Sequence, residues 1–130
     1  MIVTTIDETI KDKRRHLKGP GWESRRMLLA DAGMGYSIHD TIVKAGSELR
    51  LHYPHHLESC YCIAGEGEII DLATGNRYSI TVGTLYALDL HDEHVLCAKS
   101  DLRFICVFNP PLSGDETPWT EPDETGRENG

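Results

Sequence analysis

An all-β domain, a barrel or sandwich of short strands, is what the sequence predicts, and three features predict it. From residue 36 to residue 109, short apolar or alternating stretches follow one another at near-regular spacing. Glycine-bearing turns separate them, at Gly46, at Gly65-Glu66-Gly67, at Thr74-Gly75-Asn76 and at Gly83. No strand–long-helix alternation of the βαβ kind intervenes. With 130 residues the chain forms one domain, large enough to bury a core without disulfide or metal staples.

In order along the chain, residues 1–5 are a short apolar opening and residues 7–11 can close one helical turn. The basic run 11–15 reads as a solvated face, and Gly19-Pro20-Gly21 breaks the chain. Trp22 to Arg26 leads into Met27-Leu28-Leu29, and residues 31–35 form a turn. Strands are expected over residues 36–43, 48–53, 57–64, 68–72, 78–81, 84–88, 93–99 and 102–109. In the first of these, Tyr36, Ile38, Asp40 and Ile42 alternate with Ser37, His39, Thr41 and Val43, so both faces carry mixed chemistry. Pro110-Pro111 stops the last strand. The organisation expected is a domain over 1–114 and an acidic tail over 115–130, too poor in apolar residues to order itself alone; it is either a flexible lid over an active site or a disordered tail.

A net charge of −8 argues against nucleic acid and anionic membrane as partners. No apolar run is long enough to span a bilayer, and the N-terminus lacks the apolar core of a secretory signal. The four cysteines, Cys60, Cys62, Cys97 and Cys106, sit within strand-like stretches and form no spaced framework. They read as buried reduced thiols of a cytoplasmic protein.

Five of the seven histidines lie between His52 and His94, in the runs His52-Tyr53-Pro54-His55-His56-Leu57-Glu58 and Tyr86-Ala-Leu-Asp-Leu-His91-Asp92-Glu93-His94. Histidine, tyrosine and carboxylate together suit a first-row divalent metal. Alone, the first run could be a surface turn, Tyr86 a half-buried strand aromatic and Glu58 an edge charge. The spacing tips the balance. Gly46, His52, Glu58 and Gly65 fall in the register of the first cupin motif, and Gly83 and His94 in that of the second. Pro54 stands where a second metal histidine would be. The chain therefore resembles a cupin, a double-stranded β-helix or jelly-roll barrel, that has lost one ligand, and Tyr86 is the best replacement.

A closer resemblance rests on longer strings. Trp22-x-Ser24-Arg25-Arg26, Gly33-Met34-Gly35, His39-Asp40-Thr41, His56-Leu57-Glu58, Tyr61-Cys62-Ile63, Gly65-Glu66-Gly67-Glu68, Tyr86-Ala87-Leu88-Asp89, His91-Asp92-Glu93-His94 and Cys106-Val107-Phe108-Asn109-Pro110-Pro111 together resemble the ectoine synthase family. That resemblance implies a cytoplasmic homodimeric hydro-lyase that closes N-gamma-acetyl-L-2,4-diaminobutyrate into ectoine with loss of water. It implies iron (Fe2+) on Glu58, Tyr86 and His94. It implies a substrate pocket of Trp22, Ser24, Thr41, Tyr53, His56, Cys106, Phe108 and Glu116. For the proton transfers, Tyr53, His56 and Asp92 all lie beside the metal motifs, and the sequence does not choose among them. Mn, Co and Zn suit the same donors. The competing readings are another metal-dependent cupin enzyme and a non-catalytic ligand-binding cupin.

Overall fold

The structure is a computed structural model and describes residues 1–116. One helical turn, α1 (Ile6–Thr9), precedes ten strands: β1 (His16–Gly19), β2 (Trp22–Leu28), β3 (Ser37–Val43), β4 (Glu48–Leu51), β5 (Leu57–Ala64), β6 (Gly67–Asp71), β7 (Arg77–Ile80), β8 (Leu85–Leu88), β9 (His94–Ala98) and β10 (Leu102–Asn109). Thr5 caps α1 by accepting the Glu8 N–H at 3.1 Å. The strands build two antiparallel sheets, ordered β1-β2-β3-β10-β5-β8 and β4-β9-β6-β7. Among the described residues no helix is long and apolar enough to cross a membrane.

The two sheets face each other over a core that includes Leu29, Val43, Leu51, Ile69, Ile80, Leu96, Leu102, Phe104 and Phe108. Side chains alternate in and out along each strand. On β10 that turns Leu102, Phe104, Cys106 and Phe108 inward, all 4% exposed or less. On β3 the polar series is the buried one: Ser37 and His39 lie inside at 0% and 2% exposure, and Ile38 and Ile42 face outward. The mixed chemistry expected on both faces of this strand is thus resolved in favour of a polar interior.

The strand series begins earlier than the sequence predicts, with the β1–β2 hairpin over residues 16–28. The charges of this segment hide its alternation, and their partners are supplied only by folding. His16 meets Glu23 across the hairpin at 2.6 Å. Arg25 reaches Asp40 on β3 at 2.6 Å, and Arg103 on β10 meets the same carboxylate at 2.6 Å. Burial pushes the Asp40 carboxyl up, but the two guanidinium groups outweigh it and hold it below the ordinary value.

The turn after β5 sets how closely β10 can approach. Gly65 has φ +90°, and a Cβ there would overlap the Asp101 carbonyl, whereas Gly75 has φ +76° and open space beside it. Gly65→Ala is therefore expected to cost about 2–4 kcal/mol, strain plus overlap, and Gly75→Ala about 1 kcal/mol. Urea midpoints at unchanged slope measure both; equal shifts for the two would contradict the packing described here.

Candidate active site and metal centre

Cross-strand register assembles the site. Arg26 on β2 pairs with His39 on β3, His39 with Cys106 on β10, Cys106 with Cys60 on β5, and Cys60 with Tyr86 on β8. Directly opposed residues share a face, so these five form one inward row across the six-stranded sheet. A flanking row carries Ser24, Thr41 and Phe104, and another carries Ser37, Phe108 and Glu58. All of these but Arg26 and Ser37 line an interior cavity with Trp22, Tyr53, Leu49, Leu51 and Leu96, the last three from the facing sheet. Its volume, about 40 Å³, holds a few waters.

At the β5 end, Glu58 sits with two thiols. Burial dominates and raises the Glu58 carboxyl to about 7, although the neighbouring Cys60 and Cys106 thiols favour its ionised form. Burial also pushes the Tyr86 phenol well above its usual 10. The donor atoms of Glu58, Cys60 and Cys106 all lie within 4.8 Å of one another.

Tyr86 separates this cavity from an open crevice between β6 and β8, which it lines together with Asp71, Asp92 and His94. The Tyr86 and His94 rings are 6.0 Å apart. His94 is 1% exposed. Its Nδ1 is 2.9 Å from the Asp92 carbonyl, which can only accept, so Nδ1 carries the proton and Nε2 the lone pair. That Nε2 is buried with no hydrogen-bond partner. A buried imidazole with one nitrogen anchored to a carbonyl and the other left open is the arrangement of a metal-ligating histidine. Burial lowers its proton affinity and keeps the lone pair available.

The opposite end of the cavity is a mouth built from aromatics and the C-terminal segment. Tyr53 and His39 pack on Phe108 at 4.8 and 4.7 Å, and His56 stands edge-on to Tyr53 at 6.0 Å. The His56 Nδ1 donates to the Pro110 carbonyl at 2.8 Å, which turns Nε2 toward Glu116, 4.0 Å away. His91, at the unusual φ of 54°, donates its Nδ1–H to the carbonyls of Tyr53 and His56 at 3.2 and 3.0 Å. It thereby fixes the loop that carries both. Arg26 is fully buried and donates to the carbonyls of Gly114, at 2.8 Å, and Glu116. Arg14 adds a bond to Ser113 O at 2.9 Å.

Eight of the twelve residues expected from the sequence therefore surround one cavity: Trp22, Ser24, Thr41, Tyr53, Glu58, Tyr86, Cys106 and Phe108. His56 and Glu116 stand at its mouth. His94 adjoins it through Tyr86. Asp92, a candidate for proton transfer, is elsewhere: its carboxylate accepts the Leu90 N–H at 3.2 Å on the crevice side, and its clearest service is the carbonyl that orients His94. The expected boundary after Gly114 falls within the docked segment, and the tail over 117–130 lies outside the described residues.

The ectoine synthase family model matches residues 1–126. The chain belongs to the ectoine synthase family. It is 52% identical over 117 residues to the L-ectoine synthase of Halalkalibacterium halodurans, covering 90% of each chain. It is 51% identical to that of Hahella chejuensis, covering 90% of this chain and 88% of the other. A crystal structure of ectoine synthase from P. lautus superposes with a TM-score of 0.84 at 44% identity, over 98% of this chain and 96% of that one. An RmlC-like cupin from Shewanella frigidimarina shares the fold, with a TM-score of 0.60 at 18% identity over 71% and 78%. The fold is thus a cupin barrel, and the ectoine synthases it resembles are hydro-lyases.

Arg26, His39, Cys60 and His91 belong to this family member's site without having stood out in its sequence. For two of them a signal existed. Cys60 lies two residues from Glu58, and His39 two from Thr41, so strand parity alone assigns both to the inward face. Arg26 and His91 act through carbonyls that are remote in sequence, and no spacing reveals them.

The mouth segment carries a pH dependence. Burial pushes the Glu116 carboxyl up, but backbone N–H bonds from Ser113 and Gly114 outweigh it and hold it below the ordinary 4.5. The ionised form is therefore favoured in the folded state, and its stabilisation, about 1 kcal/mol after solvent screening, is lost as pH falls through the folded value. Amide protection over residues 112–116 should drop on acidification below 4.5 in the wild type. Glu116→Gln should show lower protection at neutral pH and no such drop. Identical profiles would remove Glu116 as the anchor.

Proposed function

We propose that this member of the ectoine synthase family closes N-gamma-acetyl-L-2,4-diaminobutyrate to ectoine with loss of water, aided by iron (Fe2+) held by Glu58, Tyr86 and His94. The observation that carries the reading is the convergence, around one enclosed cavity, of a carboxylate and a phenol, with the orphaned imidazole lone pair of His94 on the far side of the phenol ring. These donors fit the ion. Glu58 and Tyr86 are half-buried side chains whose charged forms are disfavoured without a cation, and the His94 lone pair meets no hydrogen-bond donor. When bound, the metal would supply Lewis acidity toward the acetamide oxygen.

The remaining work belongs to the chain. Trp22 and Phe108 wall the cavity and favour the curled substrate over the extended one, which is a large part of the effective concentration an intramolecular attack needs. Ser24 and Thr41 provide hydroxyls for the substrate's polar ends. The 2-amino group must lose a proton before it attacks. His56 Nε2 is placed to take it, because its Nδ1–H is committed to Pro110, and Glu116 faces the imidazolium that results. Tyr53, whose phenol burial holds well above 10, keeps its proton and can donate it toward the departing hydroxyl. The cavity is too small for the whole substrate, so the segment over residues 113–116 serves as the lid that admits it and then excludes water.

Three wider readings accompany this one. A homodimer is supported by the outer face of the six-stranded sheet, where Leu57, Tyr61, Ile63, Leu85 and Val107 are 36–62% exposed. Four free thiols suit a reducing, cytoplasmic location. The product's role would be that of a compatible solute made under osmotic stress.

The deciding experiment loads purified protein with Fe2+ and assays cyclisation of the acetylated diaminobutyrate with and without a chelator. Conversion that chelation abolishes is expected. Changes around a bound metal commonly cost about 10–100-fold in affinity or activity, so Tyr86→Phe, which removes a donor outright, should lose at least that much iron affinity while staying folded. Full iron occupancy in that variant would take the phenol out of the ligand set. His52→Ala, by contrast, should retain iron. For the dimer, Tyr61→Glu should halve the mass seen by light scattering, and an unchanged mass would move the interface elsewhere.

A further inference from the structure

The buried thiols of Cys60 and Cys106 play no part in the proton transfers, yet they meet inside the barrel beside Glu58. They sit directly opposite each other across β5 and β10. Their exposures are 2% and 4%, and no disulfide joins them. Both Sγ atoms lie within 4.8 Å of each other and of a Glu58 carboxylate oxygen.

We propose that Glu58, Cys60 and Cys106 form a sulfur-rich site for a thiophilic divalent cation such as Zn2+, distinct in its donors from the oxygen-and-nitrogen set of Glu58, Tyr86 and His94 but sharing Glu58 with it. The geometry supports the proposal. Bond lengths of about 2.3 Å to sulfur and 2.0–2.2 Å to oxygen put the donors of a tetrahedral ion roughly 3.5–3.8 Å apart. The three donor atoms here already lie within 4.8 Å of one another, so rotamer adjustments of about an ångström close the set. The donors come from neighbouring strands of one sheet, which hold them there whether or not an ion is present. Binding expels the two thiol protons to water and leaves two thiolates and a carboxylate on the cation. Thiolate selects soft or borderline ions, whereas carboxylate, phenolate and imidazole accept harder ones. Because Glu58 belongs to both sets, occupancy of one removes a ligand from the other, and a zinc-type ion would compete with iron. The inference rests on the proposed function only through that shared carboxylate.

Cobalt is the probe. Co2+ added without oxygen to the metal-free full chain should develop a thiolate-to-cobalt charge-transfer band that saturates at about one ion per chain. Cys60→Ser and Cys106→Ser should each weaken it at least twofold, and Cys62→Ser and Cys97→Ser should leave it intact. Absence of the band, or a band that either Cys60→Ser or Cys106→Ser leaves at full strength, overturns the proposal. Should those serine variants fail to fold, X-ray absorption on the cobalt-loaded wild type decides: two sulfur neighbours support the site, and fewer than two overturn it. The iron-dependent cyclisation assay is read separately. Cyclisation without the band defeats only this site, and the band without cyclisation defeats only the proposed reaction.

Discussion

The six-stranded sheet has one register, and the site depends on it. Arg26, His39, Cys106, Cys60 and Tyr86 face inward together because each lies opposite the next across β2, β3, β10, β5 and β8. A slip of one residue on any of these strands would exchange its inward set for the outward one. On β5 that would replace Glu58, Cys60 and Cys62 with Leu57, Ser59, Tyr61 and Ile63. The cavity would lose its donors and the outer face its apolar cover in the same move. The apolar core at Leu102, Phe104, Phe108 and Leu96 holds this register, since the same slip would expose it.

A polar interior of this kind shifts the titratable groups around the donor cluster toward their neutral forms. Glu58 rises to about 7, Tyr53 and Tyr86 rise well above 10, and His39 and His94 fall below 6.5. The common cause is desolvation, which penalises the charged form whatever its sign. The cavity therefore contains neutral donors and lone pairs where water would leave charges. An entering cation reverses the balance for the acids around it. The same environment keeps Tyr53 a proton donor at neutral pH.

Arg26 is the exception, a fully buried cation held by carbonyls and a hydroxyl. Its hydrogen bonds run to Gly114 O, Glu116 O and the Ser24 hydroxyl. Burial pulls its proton affinity down, and Tyr53, Glu116 and Asp115 nearby oppose this. Each buried carbonyl left without a partner would cost about 1–3 kcal/mol, so the guanidinium and the C-terminal segment stabilise one another. The mouth of the barrel is thereby closed by a charge-assisted clasp.

The sequence by itself determined the β class and the positions of eight strands to within two residues at each end. It could do so because turns and two-residue alternation are local properties. The family resemblance supplied the proposed donor trio and most of the residues that the fold gathers around the cavity. The β1–β2 hairpin escaped because its charges disguise the alternation until His16, Asp40 and the C-terminal carbonyls are beside it. Only the tertiary structure set Asp92 outside the cavity, gave His91 its hold on the Tyr53 and His56 loop, and brought Arg26 to Gly114 and Glu116. The last two depend on partners dozens of residues away, supplied by chain packing, and no local pattern encodes such a distance.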